Sequence, residues 1–522
     1  DVRRFVWTFG RNKYMKKYIE IRKNEYYDSV TLMSLSAQIK KRDDVDNIVV
    51  SMGTAMNKEL LEHVGLSNDE VESCDENDLM IAFEISDSTE EEEIKQEIER
   101  RLKGDESGKE HQKENYTSLK QAMSQEEEAD LVVISVPGEY AGREARVALK
   151  AGKNVMLFSD NITVMQEKEL KELAHEKELL LMGPDCGTCL INGVGLCFAN
   201  QVNAGDIGIA GASGTGMQEV MTLISEYGGG ISNAIGVGGR DLSREIGGIM
   251  MKDALRLLQA DERSKIIVMV SKLPDSEVFE QIRELIREEL TKPVVLAITN
   301  REPVEVSEEN VIVAESLREA AAKAVELSRG TVVLPCENII ADTISFSPKQ
   351  KYIRGLYCGG TLCAESFYYL QNKLKDVYSN VSHEESSMLE DVFASHGNVL
   401  LDLGDDQFTN GRPHPMMNPT IRNERILEEC KDPETAVVLL DFELGYGSDA
   451  DPVGGTIDTI REGKKLAEEE GREVVFVTYV CGTKADSQNK AQQKKLLEDA
   501  GCMVAESNIE AVKLACELVS AQ

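Results

Sequence analysis

The chain has 522 residues, and its 58 Lys and Arg residues against 93 Asp and Glu residues give a formal net charge of −35. That length exceeds what one hydrophobic core supports, so we expect three or four domains. The negative charge disfavours nucleic acid and anionic membranes as partners, because binding to either depends on clustered Lys and Arg.

The remaining composition concerns the compartment. No apolar run approaches the roughly 20 residues that a membrane helix needs. The 11 cysteines are odd in number and scattered, with no apolar leader before them, which disfavours a disulfide framework. We therefore expect a cytoplasmic protein. We leave the first 14 residues out of the fold analysis, because Met15 is a candidate start.

Short β-branched runs alternate with amphipathic stretches from Tyr18 onward, a pattern typical of multi-domain α/β folds with parallel sheets. The first predicted domain, residues 15–105, is a small plait-like α/β domain. Its predicted elements are strand Tyr18–Arg22, helix Ser29–Lys41, strand Asn47–Met52, helix Lys58–His63, strand Leu79–Ile85 and helix Glu90–Leu102. The polar segment Gly104–Asn115 predicts a linker.

Three further α/β domains are predicted, at residues 116–203, 204–332 and 350–522. The strands of the first are Leu131–Val136, Val155–Phe158 and Leu179–Met182. Those of the second are Ile207–Ala210, Asn233–Val237, Lys265–Val270, Val294–Ile298 and Val311–Val313. Those of the third are Ile353–Tyr357, Asn398–Leu403, Val437–Glu443, Val474–Val480 and Met503–Val504. The last two domains each open with a strand, a Gly-rich turn and a helix, so we interpret them as pseudo-repeats.

The sharpest motif is the turn that contains Ser213, Gly214, Thr215 and Gly216, between an apolar strand and a helix. Backbone N–H groups of such a turn converge on an oxyanion, and the helix N-terminus adds partial positive charge. The spacing is that of neither a Walker A loop nor a dinucleotide fingerprint. The sequence therefore favours phosphate binding over a plain tight turn.

A second turn of this kind contains Gly359, Gly360 and Thr361, after strand Ile353–Tyr357. Two such helix ends can clamp one anion. Arg240 follows a third glycine cluster at a strand end, where open α/β sheets bind ligands. We predict it as an anion ligand, with a surface ion pair to Asp241 or Glu245 as the alternative.

A loop in the last domain brings Asp405, Asp406, Arg412 and His414 close together in sequence. Two prolines stiffen this loop, so we predict that these side chains act in catalysis or substrate orientation. The alternative is a structural ion pair between Arg412 and Asp405.

Two other motifs receive weaker interpretations. The loop Gly445–Pro452 offers oxygen donors and predicts a hydrogen-bonding lid or a weak Mg²⁺ site. Cys186 and Cys189 have redox-motif spacing, but buried thiols are the default interpretation. No metal site is predicted from Cys and His spacing.

These residues carry a family resemblance that covers about 500 residues. The last three domains resemble the succinyl-CoA synthetase superfamily, and the chain from Met15 resembles its FdrA branch. The matching stretches are Ser135–Ala141, Met182–Thr188, Ser213–Thr215, Gly236–Ser243, Gly359–Thr361 and Asp402–Pro419. The resemblance implies a Rossmann-like CoA-binding-type domain at 116–203 and flavodoxin-like domains at 204–332 and 350–522. It also implies that the Ser213 and Gly359 turns share one anion site.

The chain departs from the parent synthetases in two respects. No His occurs between His175 and His383, and Ser271 and Lys272 stand where a glutamate partners the parental phosphohistidine. A phosphohistidine relay is therefore not expected. The resemblance places a CoA-type site at Pro137, Gly138 and Pro184, although the Gly-rich first turn of that domain has no counterpart here.

The FdrA resemblance implies a component of an oxamate carbamoyltransferase in allantoin and purine catabolism, working with carbamate kinase. The expected ligand is carbamoyl phosphate or phosphate. The expected partners are small anions and other carbamoyltransferase subunits, in a homo- or hetero-oligomer. Two alternatives stay open: an acyl-CoA synthetase that uses CoA and a nucleotide, and a non-catalytic anion-binding regulatory subunit.

Overall fold

We analysed a computed structural model of the chain. The structure describes residues 15–520 except positions 24, 26, 28–31, 33–34, 37–38, 41, 43, 55–56, 59–60, 62–63, 76, 87–90, 103–115, 301–303, 334–345, 390 and 410–411. Most of the two helices predicted between residues 29 and 63, and the predicted linker, lie outside these residues. Contacts divide the chain into two compact units, Asp1–Asn115 and Tyr116–Gln522.

The first unit contains an antiparallel sheet of order β1-β3-β2. Its described elements are β1 (Met15–Arg22), β2 (Val45–Met52), α1 (Asp69–Ser73), β3 (Leu79–Ser86) and α2 (Glu91–Leu102). Alternate residues of the central strand, such as Ile81 and Phe83, are buried against Ile94 and Ile98 of α2. This packing gives the unit its own hydrophobic core.

The second unit begins with a small parallel sheet of order β4-β5-β6. Its elements are α3 (Leu119–Gln125), β4 (Leu131–Ile134), α4 (Gly138–Lys150), β5 (Asn154–Leu157), α5 (Val164–Glu176) and β6 (Leu181–Met182). The next two strands, β7 (Thr188–Ile191) and β8 (Val194–Cys197), form a hairpin that was not predicted. Asn192 and Gly193 both have positive φ in its turn, as an Asn-Gly hairpin turn requires.

The hairpin joins the sheet of the following segment, whose order is β13-β12-β11-β9-β10-β7-β8. That segment contains β9 (Ala204–Gly211), α6 (Gly214–Glu226), β10 (Ile231–Gly236), α7 (Ile249–Ala260), β11 (Ile266–Lys272), α8 (Ser276–Glu289), β12 (Val294–Thr299), β13 (Val311–Ala314) and α9 (Leu317–Arg329). The boundary predicted at residue 203 therefore differs from the hydrogen bonding, since residues 188–197 pair with the later sheet.

The last segment forms a parallel sheet of order β15-β16-β14-β17-β18-β19. Its strands are β14 (Tyr352–Tyr357), β15 (Val377–Ser379), β16 (Asn398–Asp402), β17 (Thr435–Glu443), β18 (Val475–Cys481) and β19 (Met503–Ala505). Its helices are α10 (Gly360–Gln371), α11 (Asp406–Thr409), α12 (Thr420–Lys431), α13 (Gly454–Glu469), α14 (Lys490–Asp499) and α15 (Asn508–Ser520).

Both large sheets share the flavodoxin-like strand order 2-1-3-4-5, once the extra strands at their edges are set aside. The α/β class predicted from the sequence is thereby confirmed. Helices α6, α9, α10 and α15 pack between the two sheets in one continuous hydrophobic core. This packing brings the carboxyl ends of β9 and β14 together. None of the described helices combines the length and apolar character needed to cross a bilayer.

Candidate functional site

The two glycine turns meet at one point between the large sheets. Ser213 Oγ lies 2.6 Å from Thr361 Oγ1, and both side chains are buried. A Cβ placed on Gly359 would lie 3.1 Å from Thr215 Cβ. The N-termini of α6 and α10 therefore face each other across a short gap, and both partial positive charges point toward it.

The first turn is partly exposed. Ser213 caps α6 by accepting a hydrogen bond from the Gly216 amide at 3.0 Å. A Cβ on Gly214 would meet only Thr188 Oγ1, at 3.5 Å. Gly214 and Thr215 are half-buried, so solvent reaches the first residues of α6.

The second turn already holds a carboxylate. Asp441 accepts hydrogen bonds from the Cys358 amide at 2.7 Å and the Gly359 amide at 2.8 Å. The buried Arg422 lies 3.6 Å from Asp441 Oδ1 and donates to Cys358 Sγ at 2.9 Å. Asp441 and Arg422 thus compensate each other inside the protein, and two amides of this turn are not available to a ligand.

Glu443 stands next to this pair at the end of β17. It is 2% exposed, and neither of its carboxyl oxygens has a hydrogen-bond partner among the described residues. Burial, together with the neighbouring Asp441, raises its pKa well above the usual range. Its Oε1 would lie 3.1 Å from a Cβ on Gly359, so this carboxyl group faces the turn.

Asp402 ends β16 directly beside the N-terminus of α10. A Cβ on Gly360 would collide with its Oδ2, while its Oδ1 accepts from the Gly404 amide at 2.9 Å. Burial raises the pKa of Asp402 to about 6, although Lys272 opposes the increase. A carboxyl group with such a pKa can accept and return a proton near neutral pH.

Lys272 is a cation at the end of β11, in the segment that carries the Ser213 turn. Strand β11 pairs with β9 so that Val270 lies opposite Gly211, which puts Lys272 level with Ser213 two residues later. Its side chain is exposed, and it lowers the pKa of both Asp402 and Asp185. Among the described residues, no carboxylate forms an ion pair with its ammonium group within 4 Å.

Residues of the 116–203 segment contribute a further wall. Asp185 follows the cis Gly183–Pro184 bond, and this residue is exposed to solvent. Burial raises its pKa to about 6, with Asp160 adding to the increase and Arg240 opposing it. These charges share one electrostatic environment with Lys272, and we call the region around Asp185, Arg240 and Lys272 the cleft.

Arg240 occupies this wall in an ion pair that was not predicted. Its guanidinium lies 2.9 Å from the buried Glu167 and donates to the Ile162 carbonyl at 2.7 Å. Lys171 is also fully buried and binds both Glu167 and Asp241. A network anchored on α5 therefore takes the place of the alternative ion pair with Asp241 or Glu245, and the role of Arg240 as an anion ligand stays a prediction.

Arg412 has an ion-pair partner that was not predicted, and its catalytic role stays a prediction. Its side chain is 51% exposed and forms an ion pair with Glu424 at 3.0 Å, rather than with Asp405 or toward the two turns. The neighbouring residues 410–411 lie outside the described residues. The sequence placed Arg412 near the acids of this loop, but helix α12 supplies its partner.

His414 is half-buried beside the Asp402 loop. A Cβ on Gly404 would collide with its Nε2, and its Nδ1 accepts from the Met416 amide at 3.2 Å. Burial lowers its pKa to about 4, so the ring is neutral with the proton on Nε2. Its ring lies 6.2 Å from that of Phe198, between centroids, which connects this loop to the hairpin side of the cleft.

Asp405 and Asp406 follow Asp402 on the same loop. Asp405 Oδ1 accepts from the Gln407 amide at 3.0 Å, so it stabilises a local turn. Asp406 is exposed, and partial burial together with Asp160 raises its pKa. The structure therefore brings Asp406 to the wall of the cleft, whereas Asp402 contacts the turn itself.

Pro137, Gly138 and Pro184 take packing positions. Pro137 precedes α4, and a Cβ on Gly138 would collide with the backbone at Asp160. The carbonyl of Pro184 lies against Gly238, which has positive φ. Their contact with CoA stays a prediction.

Other predicted features have structural partners. Cys186 and Cys189 lie 3.6 Å apart between sulfur atoms, and both are buried. In the loop predicted as a lid or Mg²⁺ site, Asp449 and Asp451 accept from backbone amides at 2.8 and 3.1 Å. Within the described part of the chain, one set could group around a metal ion: Cys358, Asp441 and Glu443. The Arg422 guanidinium already neutralises this set, which disfavours a further cation.

Comparisons with known proteins match most of the chain. A family profile described as CoA-ligase matches residues 356–518, and one described as CoA binding domain matches residues 202–299. A profile described as AllF, heavy metal-associated domain matches residues 15–118. The CoA binding profile begins where the predicted CoA-binding-type domain ends, so Pro137, Gly138 and Pro184 lie outside it.

Two relatives illustrate the range of similarity. The protein YahF of Escherichia coli K12 is 46% identical over 97% of this chain and 99% of its own length. Subunit alpha 1 of the ADP-forming succinate–CoA ligase of Archaeoglobus fulgidus is 27% identical over 36% of this chain and 63% of its own length. Similarity to the ligase subunit is therefore limited to part of each chain.

Solved structures of similar proteins include two CoA-dependent enzymes. The dinucleotide-forming acetyl-coenzyme A synthetase 1 of Ca. Korarchaeum cryptofilum is 16% identical, covers 75% of this chain and 82% of its own, and has a TM-score of 0.31. The ATP citrate lyase of Methanosaeta concilii is 17% identical, covers 45% and 44%, and has a TM-score of 0.36.

Proposed function

We propose, because the chain belongs to the FdrA family of the succinyl-CoA synthetase superfamily, that it is the FdrA-type subunit of an oxamate carbamoyltransferase in allantoin and purine catabolism. The reaction converts carbamoyl oxamate and phosphate into oxamate and carbamoyl phosphate. The observation that supports this most is the 2.6 Å contact between Ser213 and Thr361, which joins two helix N-termini in one small site.

The dimensions and charge of the site suit a small phosphorylated ligand. The partly exposed first turn, the exposed ammonium of Lys272 and the half-exposed guanidinium of Arg240 supply positive charge around the cleft. No carrier histidine is needed, since phosphate itself is the acceptor. His414 is neutral, and its Nδ1 is engaged by the Met416 amide, so it is not assigned as a phosphate carrier.

The transfer requires one proton movement. An oxygen of phosphate attacks the carbamoyl carbon, and the bond between that carbon and the oxamate nitrogen breaks. The proton carried by the phosphate ends on the departing nitrogen. Asp402 is the group we assign to this transfer, because its pKa of about 6 suits both acceptance and return of a proton.

Stabilisation of charge is the second contribution. Negative charge stays on the phosphoryl oxygens throughout, and oriented amides with Lys272 stabilise it without reorganisation of solvent. The Arg240 guanidinium, whose Nη2 is engaged by Glu167 and the Ile162 carbonyl, donates to the oxamate carboxylate through one of its remaining N–H groups.

The test is a steady-state assay with the chain and its partner subunits assembled. Carbamoyl oxamate and phosphate should yield carbamoyl phosphate, detected as ATP formation from ADP through added carbamate kinase. Asp402→Asn should lower kcat at least tenfold, whereas Asp449→Asn, which alters the other loop, should leave it within twofold. Absence of carbamoyl phosphate from the full complex contradicts the proposal.

The acyl-CoA synthetase alternative makes a different prediction for the same sample. It requires CoA binding, which calorimetric titration of the chain detects directly. Saturable CoA binding together with nucleotide-dependent thioester formation would favour that alternative. The regulatory alternative is favoured if the partner subunits alone give the full rate of carbamoyl phosphate formation.

A further inference from the structure

We infer that the two turns divide the ligand between them: the Ser213 turn with Lys272 binds the phosphoryl group, and the carboxyl groups of the Gly359 turn bind the carbamoyl amide. This inference rests on the proposed function and assigns an orientation to carbamoyl phosphate within the site. It also assigns to Lys272 a role as a phosphate ligand.

Two positions on β11 and β17 correspond to each other in the two halves of the site. In one half, β11 pairs with β9 so that Val270 lies opposite Gly211. In the other half, β17 pairs with β14 so that Leu440 lies opposite Leu356. Following these registers, Lys272 is level with Ser213, and Glu443 is level with Gly359. The two matched positions therefore carry a cation in one half and an acid in the other.

The two turns differ in the backbone amides that they can offer to a ligand. In the second turn, Asp441 takes the amides of Cys358 and Gly359. In the first turn, the recorded side-chain acceptor is Ser213 Oγ, which takes only the Gly216 amide. A dianion gains hydrogen bonds and the attraction of Lys272 at the first turn. At the second turn it meets two amides that Asp441 already occupies, and the Asp402 carboxylate repels it.

The Gly359 turn has acceptor oxygens that lack hydrogen-bond donors in the described part of the chain. Glu443 is 2% exposed and has two oxygens without a hydrogen-bond partner among the described residues. Burial keeps this carboxyl group protonated, and its carbonyl oxygen is a buried acceptor that is costly unless a donor reaches it. Asp402 Oδ1 is engaged by Gly404, while its Oδ2 lies against Gly360 at the entrance to the turn. The carbamoyl group offers an NH₂, which supplies two donors to acceptors of this kind.

This orientation agrees with the proton movement of the reaction. The carbamoyl carbon lies between the two turns, so the phosphate oxygen reaches it from the first turn. The oxamate nitrogen then departs on the side of Asp402, which is the group assigned to proton transfer. Lys272 contacts the phosphoryl oxygens as a cation and transfers no proton in this scheme.

The test uses calorimetric titration of the full chain with stable analogues. Phosphonoacetamide replaces the bridging oxygen of carbamoyl phosphate by CH₂, and acetonylphosphonate differs from it in having CH₃ in place of NH₂. Inorganic phosphate reports the first turn alone. The wild-type chain should bind phosphonoacetamide about tenfold more tightly than acetonylphosphonate, because the ionised Asp402 carboxylate accepts a hydrogen bond from the NH₂ group.

Two variants then separate the two ends of the ligand. Lys272→Gln should weaken inorganic phosphate and phosphonoacetamide by a similar factor of about ten. Lys265→Gln is the matched control, since Lys265 is exposed just before the opposite end of the same strand, and it should change neither affinity. Asp402→Asn should keep phosphate binding and lose most of the preference for phosphonoacetamide, which also shows that the variant site is folded.

The results that overturn the inference are defined by the same titrations. They are equal affinity of the wild type for the two phosphonates, or phosphate affinity in Lys272→Gln that equals that in Lys265→Gln. Failure of the proposed function is distinguishable from these, because it appears as absence of carbamoyl phosphate formation by the complex while phosphate binding at Lys272 persists.

Discussion

Residues 204–332 and 350–522 present the same strand order and one glycine turn each, but the two turns differ in charge. The first is partly exposed and lies beside Lys272, whereas the second is filled by Asp441 and flanked by Glu443 and Asp402. A repeated backbone therefore does not give a symmetric site. Side chains at matched positions on two strands decide which end of a ligand each turn can bind.

The comparison is tested most strongly at the ion pair that closes the second turn. Arg422→Met leaves Asp441 buried without its cation, and we expect the free energy of unfolding to fall by about 3 to 5 kcal/mol. Urea unfolding followed by circular dichroism measures this change. A loss below about 1 kcal/mol would mean that Asp441 does not need Arg422.

Arg412→Met is the control at an exposed ion pair. Because Arg412 forms an exposed pair with Glu424, its loss should change stability by less than about 1 kcal/mol. Turnover by the assembled complex should stay within twofold of wild type. Strongly reduced turnover would return Arg412 to the site and contradict its placement.

Asp402 gives the second half a pH dependence of its own. Its pKa of about 6 lies above the value of an unfolded Asp, so the folded chain binds more protons between about pH 4 and 6. Stability from this group is therefore lost as the pH rises through that range. Asp402→Asn should be more stable than wild type by about 2 kcal/mol at pH 7, with the difference vanishing near pH 4.

Urea midpoints of the two proteins from pH 4 to 8 measure this effect. The Asn side chain keeps an acceptor for the Gly404 amide, so the comparison isolates the charge. Parallel stability curves for wild type and variant would contradict the raised pKa of Asp402.

Equivalent glycines sharpen the comparison at the backbone. A Cβ on Gly360 would collide with Asp402 Oδ2, so Gly360→Ala should cost about 2 kcal/mol. A Cβ on Gly214 meets only Thr188 Oγ1 at 3.5 Å, so Gly214→Ala should be neutral or stabilising by up to about 1 kcal/mol. Thermal unfolding of both variants checks the order, and equal effects would contradict the asymmetry.

A small effect is also expected at the contact between the turns. Thr361→Val removes the hydroxyl that lies 2.6 Å from Ser213 Oγ and should cost about 1 kcal/mol. Ser213→Ala should cost slightly more, because it also removes the cap of α6. A double-mutant cycle gives the coupling energy of the pair, and a coupling near zero would mean that the hydroxyls do not interact in solution.

Local patterns made most of the described strands and both glycine turns predictable, whereas most of the two helices predicted between residues 29 and 63 lies outside the described residues. The repeat of strand, turn and helix placed Ser213 and Gly359 in equivalent positions, and the family resemblance implied that they face each other. The hairpin at residues 188–197 was missed, although Asn192 and Gly193 carry a hairpin signal in the sequence. Short strands of four residues lack the length that makes periodicity visible.

The chemistry of the second turn was not predictable, because it depends on residues far apart in sequence. Asp441 binds amides more than 80 positions away, and Arg422 reaches it from α12. Arg412 was predicted to act with Asp405 because the two residues are close along the chain, whereas in the folded protein Arg412 forms an ion pair with Glu424. Lys272 was noticed only as a departure from the parent family, and its position beside Ser213 follows from strand register.

Electron density of the protein bound to phosphonoacetamide tests the central claim most directly. We expect the phosphonate within hydrogen-bond distance of the Gly214 or Thr215 amide and of Lys272 Nζ, with the NH₂ group directed toward Asp402 or Glu443. The reverse orientation, with phosphorus at the Gly359 turn and the amide beside Lys272, would contradict the account.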